Sequence, residues 1–261
     1  MNAVAQALAE PAPVAASTQN AIIQTRGLVM RFGGVEVLRG IDFSIVPGEL
    51  RCLVGPNGAG KSTFFKCLTG QLAASAGDIR FKGEPIAGLP SVDIARRGIG
   101  IKTQVPSLYD GLTTREHIWL AVKRHVTASG GLRREVPAQV ERVMNEMGIA
   151  HLADRIVGQL AHGQRQMVEL SMVTAAQPDL ILLDEPAAGM THDEVERLAA
   201  LVTGLRGTCS LIVVEHDMQF IRMIARTVTV LHQGQVLMED DVETVLRDRR
   251  VRDVYLGKSV T

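Results

Sequence analysis

A chain of 261 residues that is 46% hydrophobic and 21% charged carries enough apolar sequence to bury a sizeable core, so one globular domain with a subdomain, or two small domains, is expected. Its 28 Lys and Arg balance 28 Asp and Glu, which removes any overall field drawing it to nucleic acid or an anionic membrane and leaves only local patches. No window approaches the roughly 18 apolar residues of a membrane span, and Cys52, Cys67 and Cys209 lack metal-ligand spacing and lie in apolar settings, as reduced packing thiols do.

Residues 1–20 are small and apolar but interrupted by Glu10, Pro11 and Pro13, with no basic residue leading them, and read as a disordered leader rather than a signal peptide. From Ile22 to Val46 short apolar runs flank Gly33-Gly34, the pattern of antiparallel strands around a turn. Leu50–Val54 then forms a short buried strand that runs into Gly55-Pro56-Asn57-Gly58-Ala59-Gly60-Lys61-Ser62-Thr63, after which Phe64, Phe65, Cys67 and Leu68 suit a helix. Ile79 to Lys82 and Ile99 to Lys102 predict further strands. Residues 105 to 160 predict helices, with Val136, Val140, Val143, Met144 and Met147 on one helix face after the loop Ser129-Gly130-Gly131. Leu180–Leu183 and Leu211–Val214 are continuous apolar runs of the kind found in parallel strands buried on both faces. Between them Thr191-His192-Asp193-Glu194 opens a helix with the stripe Val195, Leu198, Val202 and Leu205. A hairpin around Gln233-Gly234 precedes a charged C-terminal helix.

The glycine-rich stretch fits G-x-x-x-x-G-K-[ST] in the strand-to-helix setting that gives the pattern its meaning. Backbone N–H groups from Gly55 to Thr63 would curl around phosphate oxygens, Lys61 would reach the terminal phosphates and Ser62 would ligate Mg²⁺. Asp184-Glu185 closes an apolar strand. Alone such a pair is usually a turn, but beside a phosphate loop Asp184 suits the metal and Glu185 suits a general base that orients the attacking water. His216 ends the next apolar strand, where it would touch the terminal phosphate; Gln104 alone would read as a surface glutamine.

The order of phosphate loop, lone Gln, Gly-Gln turn, acidic strand and His strand resembles the ATP-binding-cassette (ABC) ATPases over roughly residues 20 to 257. The resemblance implies an α/β fold, a P-loop NTPase core of mainly parallel sheet with an antiparallel β subdomain and a small helical signature subdomain. It implies an ATPase domain over 21–257, with 21–104 and 165–257 as core and 105–164 as the helical part, followed by a 258–261 tail. It also implies that Phe32 stacks on adenine, a core phenylalanine being the alternative reading. Gln104 would contact the metal and a transmembrane partner, and His216 would act as the switch histidine. Leu160-Ala161-His162-Gly163-Gln164 would be the signature that caps ATP held by an opposite subunit. Its usual form is Leu-Ser-Gly-Gly-Gln. Ala161 lacks the serine hydroxyl, but the backbone N–H groups near His162 and Gly163, the helix dipole and the imidazole still favour an anion. Thr103 departs from the aromatic residue often found before the glutamine in related importers.

Glu185-Pro186-Ala187-Ala188-Gly189-Met190, Val214-Glu215-His216-Asp217-Met218 and Val254-Tyr255-Leu256-Gly257 resemble the ATPase subunits of branched-chain amino acid importers. His162 and Val230-Leu231-His232-Gln233-Gly234 resemble the urea and short-amide branch. The expected setting is peripheral, at the cytoplasmic face of the inner membrane, as a homodimer or a heterodimer with a paralogous ATPase. Two permeases and, indirectly, a periplasmic solute-binding protein would be partners, and nucleic acid would not. An exporter ATPase, or a regulatory module that holds ATP but hydrolyses it weakly, is the alternative. The solute itself is not readable from this chain.

Overall fold

The apolar runs that flank Gly33-Gly34 form β1 (Ile23–Phe32) and β2 (Val35–Ile45), paired antiparallel, with Gly33 at φ 57° in the turn. All five residues of β3 (Leu50–Val54) are buried, and the chain leaves this strand through the glycine loop into α1 (Lys61–Leu68). Next come β4 (Ala76–Phe81), β5 (Glu84–Pro85), α2 (Ser91–Arg96) and β6 (Ile99–Lys102). The computed structural model describes residues 20–104, 107–128 and 135–256. The expected leader up to residue 19, the loop Ser129-Gly130-Gly131 and the 258–261 tail lie outside the described residues.

Two helices, α3 (Thr114–Ala128) and α4 (Val136–Glu146), follow, and α4 turns Val136, Val140 and Met144 into the core at helical spacing. The expectation of helix throughout 105–160 needs correction. Thr113 bridges Ile156, Thr114 N–H donates to Arg155 O at 3.0 Å and Val157 N–H donates to Leu112 O at 2.9 Å. Backbone groups here find partners across two segments rather than along a helix, so residues 150–159 supply only two short 3-10 turns.

The remaining chain alternates: α5 (His162–Ala175), β7 (Leu180–Asp184), α6 (His192–Gly204), β8 (Ser210–Val214), α7 (Met218–Ile224), β9 (Thr227–His232) and β10 (Gln235–Asp241). The expected single C-terminal helix is two, α8 (Val242–Arg247) and α9 (Arg249–Leu256). Asp248 separates them: its backbone is extended, and its carboxylate accepts the Arg250 N–H at 2.7 Å, which caps α9.

One sheet has the order β2-β1-β4-β5 and is antiparallel; the other has the order β10-β9-β3-β8-β7-β6, parallel except for β10 against β9. Alternation along the six-stranded sheet explains the core. Cys52, Ile181, Leu183, Leu211 and Val213 face one apolar cluster with α4, α5, α6 and α7. Leu53, Leu180, Leu182, Ile212 and Val214 face a second cluster with α1 and the antiparallel sheet. A sheet covered on both faces gives strands with no polar alternation, which is why these runs read as parallel strands in the sequence. Arg51 is the exception in β3. It is buried yet fully engaged, paired with Glu49 and Glu239, bonded to Thr229 Oγ1 at 3.1 Å and set over the Phe43 ring.

Candidate nucleotide site

Parallel strands β3, β7 and β8 end at one edge of the sheet, and the loops that leave this edge carry the charged residues. At the end of β3 the loop closes so tightly on the end of β9 that a Cβ on Gly55 would lie 2.2 Å from Leu231 O. Gly58, at φ 79°, would meet nothing within 4 Å and opens to the mouth of the loop. Ala59 N–H donates to Pro56 O at 3.1 Å, and Gly234 N–H braces the loop by donating to Ala59 O at 3.0 Å. Ser62 and Asn57 are exposed and Thr63 is half-buried. The first turn of α1 has neither an acidic residue nor a side-chain cap, so its positive end is open to an anion.

Lys61 is buried, and its Nζ donates to Gly55 O at 2.6 Å and Pro56 O at 3.1 Å. Burial holds its pKa below the ordinary lysine value, while the charges of Glu185 and Asp184 work in the opposite sense. Asp184 sits at the end of β7. Burial first, and the adjacent Glu185 charge second, push its carboxyl above the ordinary aspartate value.

Glu185 adopts φ 45°, an uncommon conformation for a non-glycine residue, and its N–H donates to Val214 O at 2.9 Å. Gln104 Nε2 donates to Glu185 Oε2 at 2.7 Å, and His216 Nδ1 lies 3.6 Å from Oε1. Gln104 and His216, predicted from separate stretches beyond β6 and β8, thus converge on the Glu185 carboxylate beyond β7.

Among the described residues no group of three or more His, Cys, Asp or Glu side chains could hold a metal alone. The donor set nonetheless fits Mg²⁺, which is commonly held by one or two protein oxygens with substrate phosphates and water completing its shell. Asp184, whose ionised form is disfavoured by burial and by the neighbouring Glu185, and the exposed Ser62 hydroxyl are the oxygens available.

On the signature stretch, Ala161 is the N-cap of α5 and contributes no side-chain acceptor; Gln164 Oε1 accepts the Ala161 N–H at 3.1 Å. A Cβ on Gly163 would lie 2.3 Å from Glu194 Oε1, so the start of α5 packs directly on the start of α6. His162 is placed differently from the sequence expectation of an anion donor. Its Nε2 lies 3.1 Å from Ala188 O of the same chain, with Gly189 against the ring. Phe32, 46% exposed at the end of β1, is not a core residue.

A profile of the ABC transporter family matches residues 38–188, which span the phosphate loop, Gln104, the signature and Asp184-Glu185. The chain belongs to the ABC transporter family, as an ATP-binding cassette ATPase. It is 33% identical over 251 residues to the high-affinity branched-chain amino acid transport ATP-binding protein BraF of Pseudomonas aeruginosa, covering 91% of this chain and 98% of that protein. It is 31% identical over 253 residues to LivG of Escherichia coli, which bears the same description, with the same coverage. Among solved structures, an ATP-binding cassette of an ABC transporter in its ADP conformation superimposes with a TM-score of 0.79, at 25% identity and covering 91% and 99% of the two chains. The cassette cbiO1 of Clostridium perfringens gives 0.78, at 26% identity and covering 92% and 96%. This cassette therefore binds ATP.

Within the cassette, Glu215 was visible in the sequence only as part of a motif string. It is 1% exposed and accepts the N–H groups of Ala187 at 3.1 Å, His216 at 2.9 Å and Asp217 at 3.4 Å. The signal for it was a carboxylate placed directly after a strand buried on both faces, where an unpaired charge would be costly.

Proposed function

We propose that this cassette is the ATP-hydrolysing subunit of an importer for branched-chain amino acids or a related small polar solute such as urea or a short amide. Glu185 is the general base that orients water toward the terminal phosphate. The observation that carries this is the pair of contacts on its carboxylate, Gln104 Nε2 on one oxygen and His216 Nδ1 near the other. A carboxylate held from two sides can direct a water molecule instead of turning toward Lys61.

Residues 55–63 cradle the phosphates, Lys61 leaves its loop carbonyls to reach them, and Phe32 stacks on adenine. When bound, Mg²⁺ supplies charge neutralisation at the phosphates, with Ser62, Asp184 and Gln104 as its protein contacts. His216 senses the terminal phosphate. Residues 161–164 offer the start of α5 to ATP on an opposite subunit, so the working unit is a dimer, of two copies or of this chain with a paralogue. The dimer lies peripherally, at the cytoplasmic face of the inner membrane, beneath two permeases fed by a periplasmic solute-binding protein. Identity of 33% and 31% over most of the chain to branched-chain amino acid transport ATP-binding proteins supports the transport setting.

Glu185→Gln is expected to keep equilibrium ATP binding and to lose nearly all steady-state turnover; unchanged hydrolysis would remove the base assignment. Ala161 favours a second reading, a cassette that holds ATP but turns it over weakly. Hydrolysis measured for the purified chain alone and with a paralogous subunit separates the two, because absence of activity in both settings selects the weak module.

A further inference from the structure

We infer that Glu215 and His162 are positioning residues that clamp the loop Ala187-Ala188-Gly189-Met190 from opposite sides, tying the signature helix α5 to the catalytic strand ends of the same chain. The inference rests on the proposed roles of Glu185 and His216. It concerns how those groups are held rather than what they do.

The loop begins two residues beyond Glu185 and is gripped at two successive residues, by the N–H of Ala187 and the carbonyl of Ala188. On the core side, Glu215 Oε1 accepts the Ala187 N–H, while Oε2 accepts the N–H groups of His216 and Asp217. One buried carboxylate therefore fixes both the exit of β7 and the exit of β8. Its ring neighbour, His216 Nδ1, lies 3.8 Å from Oε2. On the signature side, His162 Nε2 lies 3.1 Å from Ala188 O and 3.1 Å from the Gln166 side-chain amide; a carbonyl can only accept, so the Ala188 contact requires the Nε2–H tautomer, with the Gln166 amide oxygen turned toward the ring. Gly189, at φ 72°, lets the backbone approach the imidazole, since a Cβ there would be 3.2 Å from Cδ2.

These contacts form a continuous path: His216 and Glu185 at the reacting end, Glu215, the backbone of Ala187 and Ala188, then His162 at the first residue of α5. Glu185 sits in a left-handed conformation that its surroundings must maintain, and Ala188 N–H donates back to Glu185 O at 3.3 Å. A shift of α5 consequently pulls on the peptide that follows Glu185, and a shift of Glu185 or His216 pulls on α5. A glycine at position 162 would have no side chain with which to make this link.

The test is a double-mutant cycle on ATP turnover with Glu215→Gln, His162→Leu and the double variant, plus His162→Gln, which keeps an N–H donor. Each of the first two variants is expected to lower kcat several-fold, up to about tenfold for the charged contact, with little change in KM for ATP. The double variant should be no slower than the slower single variant, because one release already frees the loop. His162→Gln should recover most of the rate. Additive losses, a purely KM effect, or equal rates for His162→Leu and His162→Gln would overturn the clamp.

Hydrogen exchange provides a readout independent of chemistry: Ala187 N–H protection should fall in Glu215→Gln, and Ala188 and Met190 N–H protection should fall in His162→Leu. Should Glu215→Gln fail to fold, the exposed His162 pair still decides the matter. Glu185→Gln run alongside keeps the two readings apart. Persistent turnover there retires the base assignment, and the exchange data alone then uphold the clamp if protection is lost or overturn it if protection is unchanged.

Discussion

Lys61 shows how a single residue is prepared for its ligand. Its ammonium is buried and bonded to two carbonyls of its own loop, and burial lowers its pKa even with two acidic neighbours. A cation held by neutral carbonyls in a partly desolvated site gains when a phosphate replaces them, since hydrogen bonds between ionised partners are roughly twice as strong as neutral ones. Lys61→Ala removes the proposed phosphate partner and also the brace across Gly55 and Pro56. Isothermal titration with ATP should show affinity weakened by about tenfold to a hundredfold, the scale of one lost charged hydrogen bond. Lys61→Arg should not restore it, because a planar guanidinium does not fit a pocket shaped around a single ammonium. Affinity within about twofold of the parent for Lys61→Ala would count against phosphate contact by this residue, a twofold change being only about 0.4 kcal/mol.

At the scale of elements, β6 and α5 are joined by a buried ion pair that sequence patterning did not reveal. Lys102 Nζ, fully buried, lies 3.8 Å from Glu169 Oε2, and Glu169 Oε1 accepts the Ser107 N–H at 3.0 Å. Burial lowers the Lys102 pKa and raises that of Glu169. Removing one partner of such a pair leaves an uncompensated buried charge, so Lys102→Met should cost about 3 kcal/mol in urea unfolding, and Lys102→Met with Glu169→Met should recover most of it. The sign of the pH dependence follows from Glu169. With its folded pKa above its unfolded one, the native state holds more protons between the two values, so stability falls as pH rises through that window. Loss of Lys102 removes a charge that lowers the Glu169 pKa and so widens the window, and the single variant should lose stability relative to the parent as pH rises above the ordinary glutamate range. A parallel pH profile for the two proteins would reject this.

That pair also shows where legibility ended. Leu180–Leu183 and Leu211–Val214 declared their place because burial on both faces erases alternation, and Gly55 to Thr63 declared the strand-to-helix turn because its glycines have no other economical use. Lys102 and Glu169 lie 67 positions apart in the numbering and carry no local pattern, so only the packing of β6 against α5 joins them. Within 105–160 the helices α3 and α4 were legible, but the stretch 150–159 departs from helix for a related reason: Thr113 and Ile156 pair across the segment, and helical periodicity within each half cannot report a partner in the other. Glu215 was hidden by its neighbour, since His216 supplied a ready meaning for the same strand end.

For the whole molecule, the proposed dimer assigns the signature stretch and the phosphate loop to different nucleotide sites: on that reading Ala161 faces the partner's ATP, while Lys61 and Glu185 of this chain serve their own. The side chain missing at 161 leaves the N-cap of α5 without a hydroxyl; the Ala161 N–H is taken by Gln164, and the first turn of α5 still offers its backbone N–H groups. Anion attraction by the helix start survives, typically worth about 0.3 to 1 kcal/mol at an exposed terminus, while a hydroxyl bond to a charged phosphate would add about 1.5 to 3 kcal/mol. The two sites of a heterodimer should accordingly be unequal, with the partner's site the slower. Ala161→Ser tests this in a complex whose partner alone carries the intact base and in the reciprocal complex where only this chain does. Hydrolysis at the partner's site should rise several-fold and hydrolysis at this chain's own site should stay as it was. An equal rise in both would place the effect in dimer formation rather than at one phosphate, and no rise in either would show that the backbone of α5 alone completes the site.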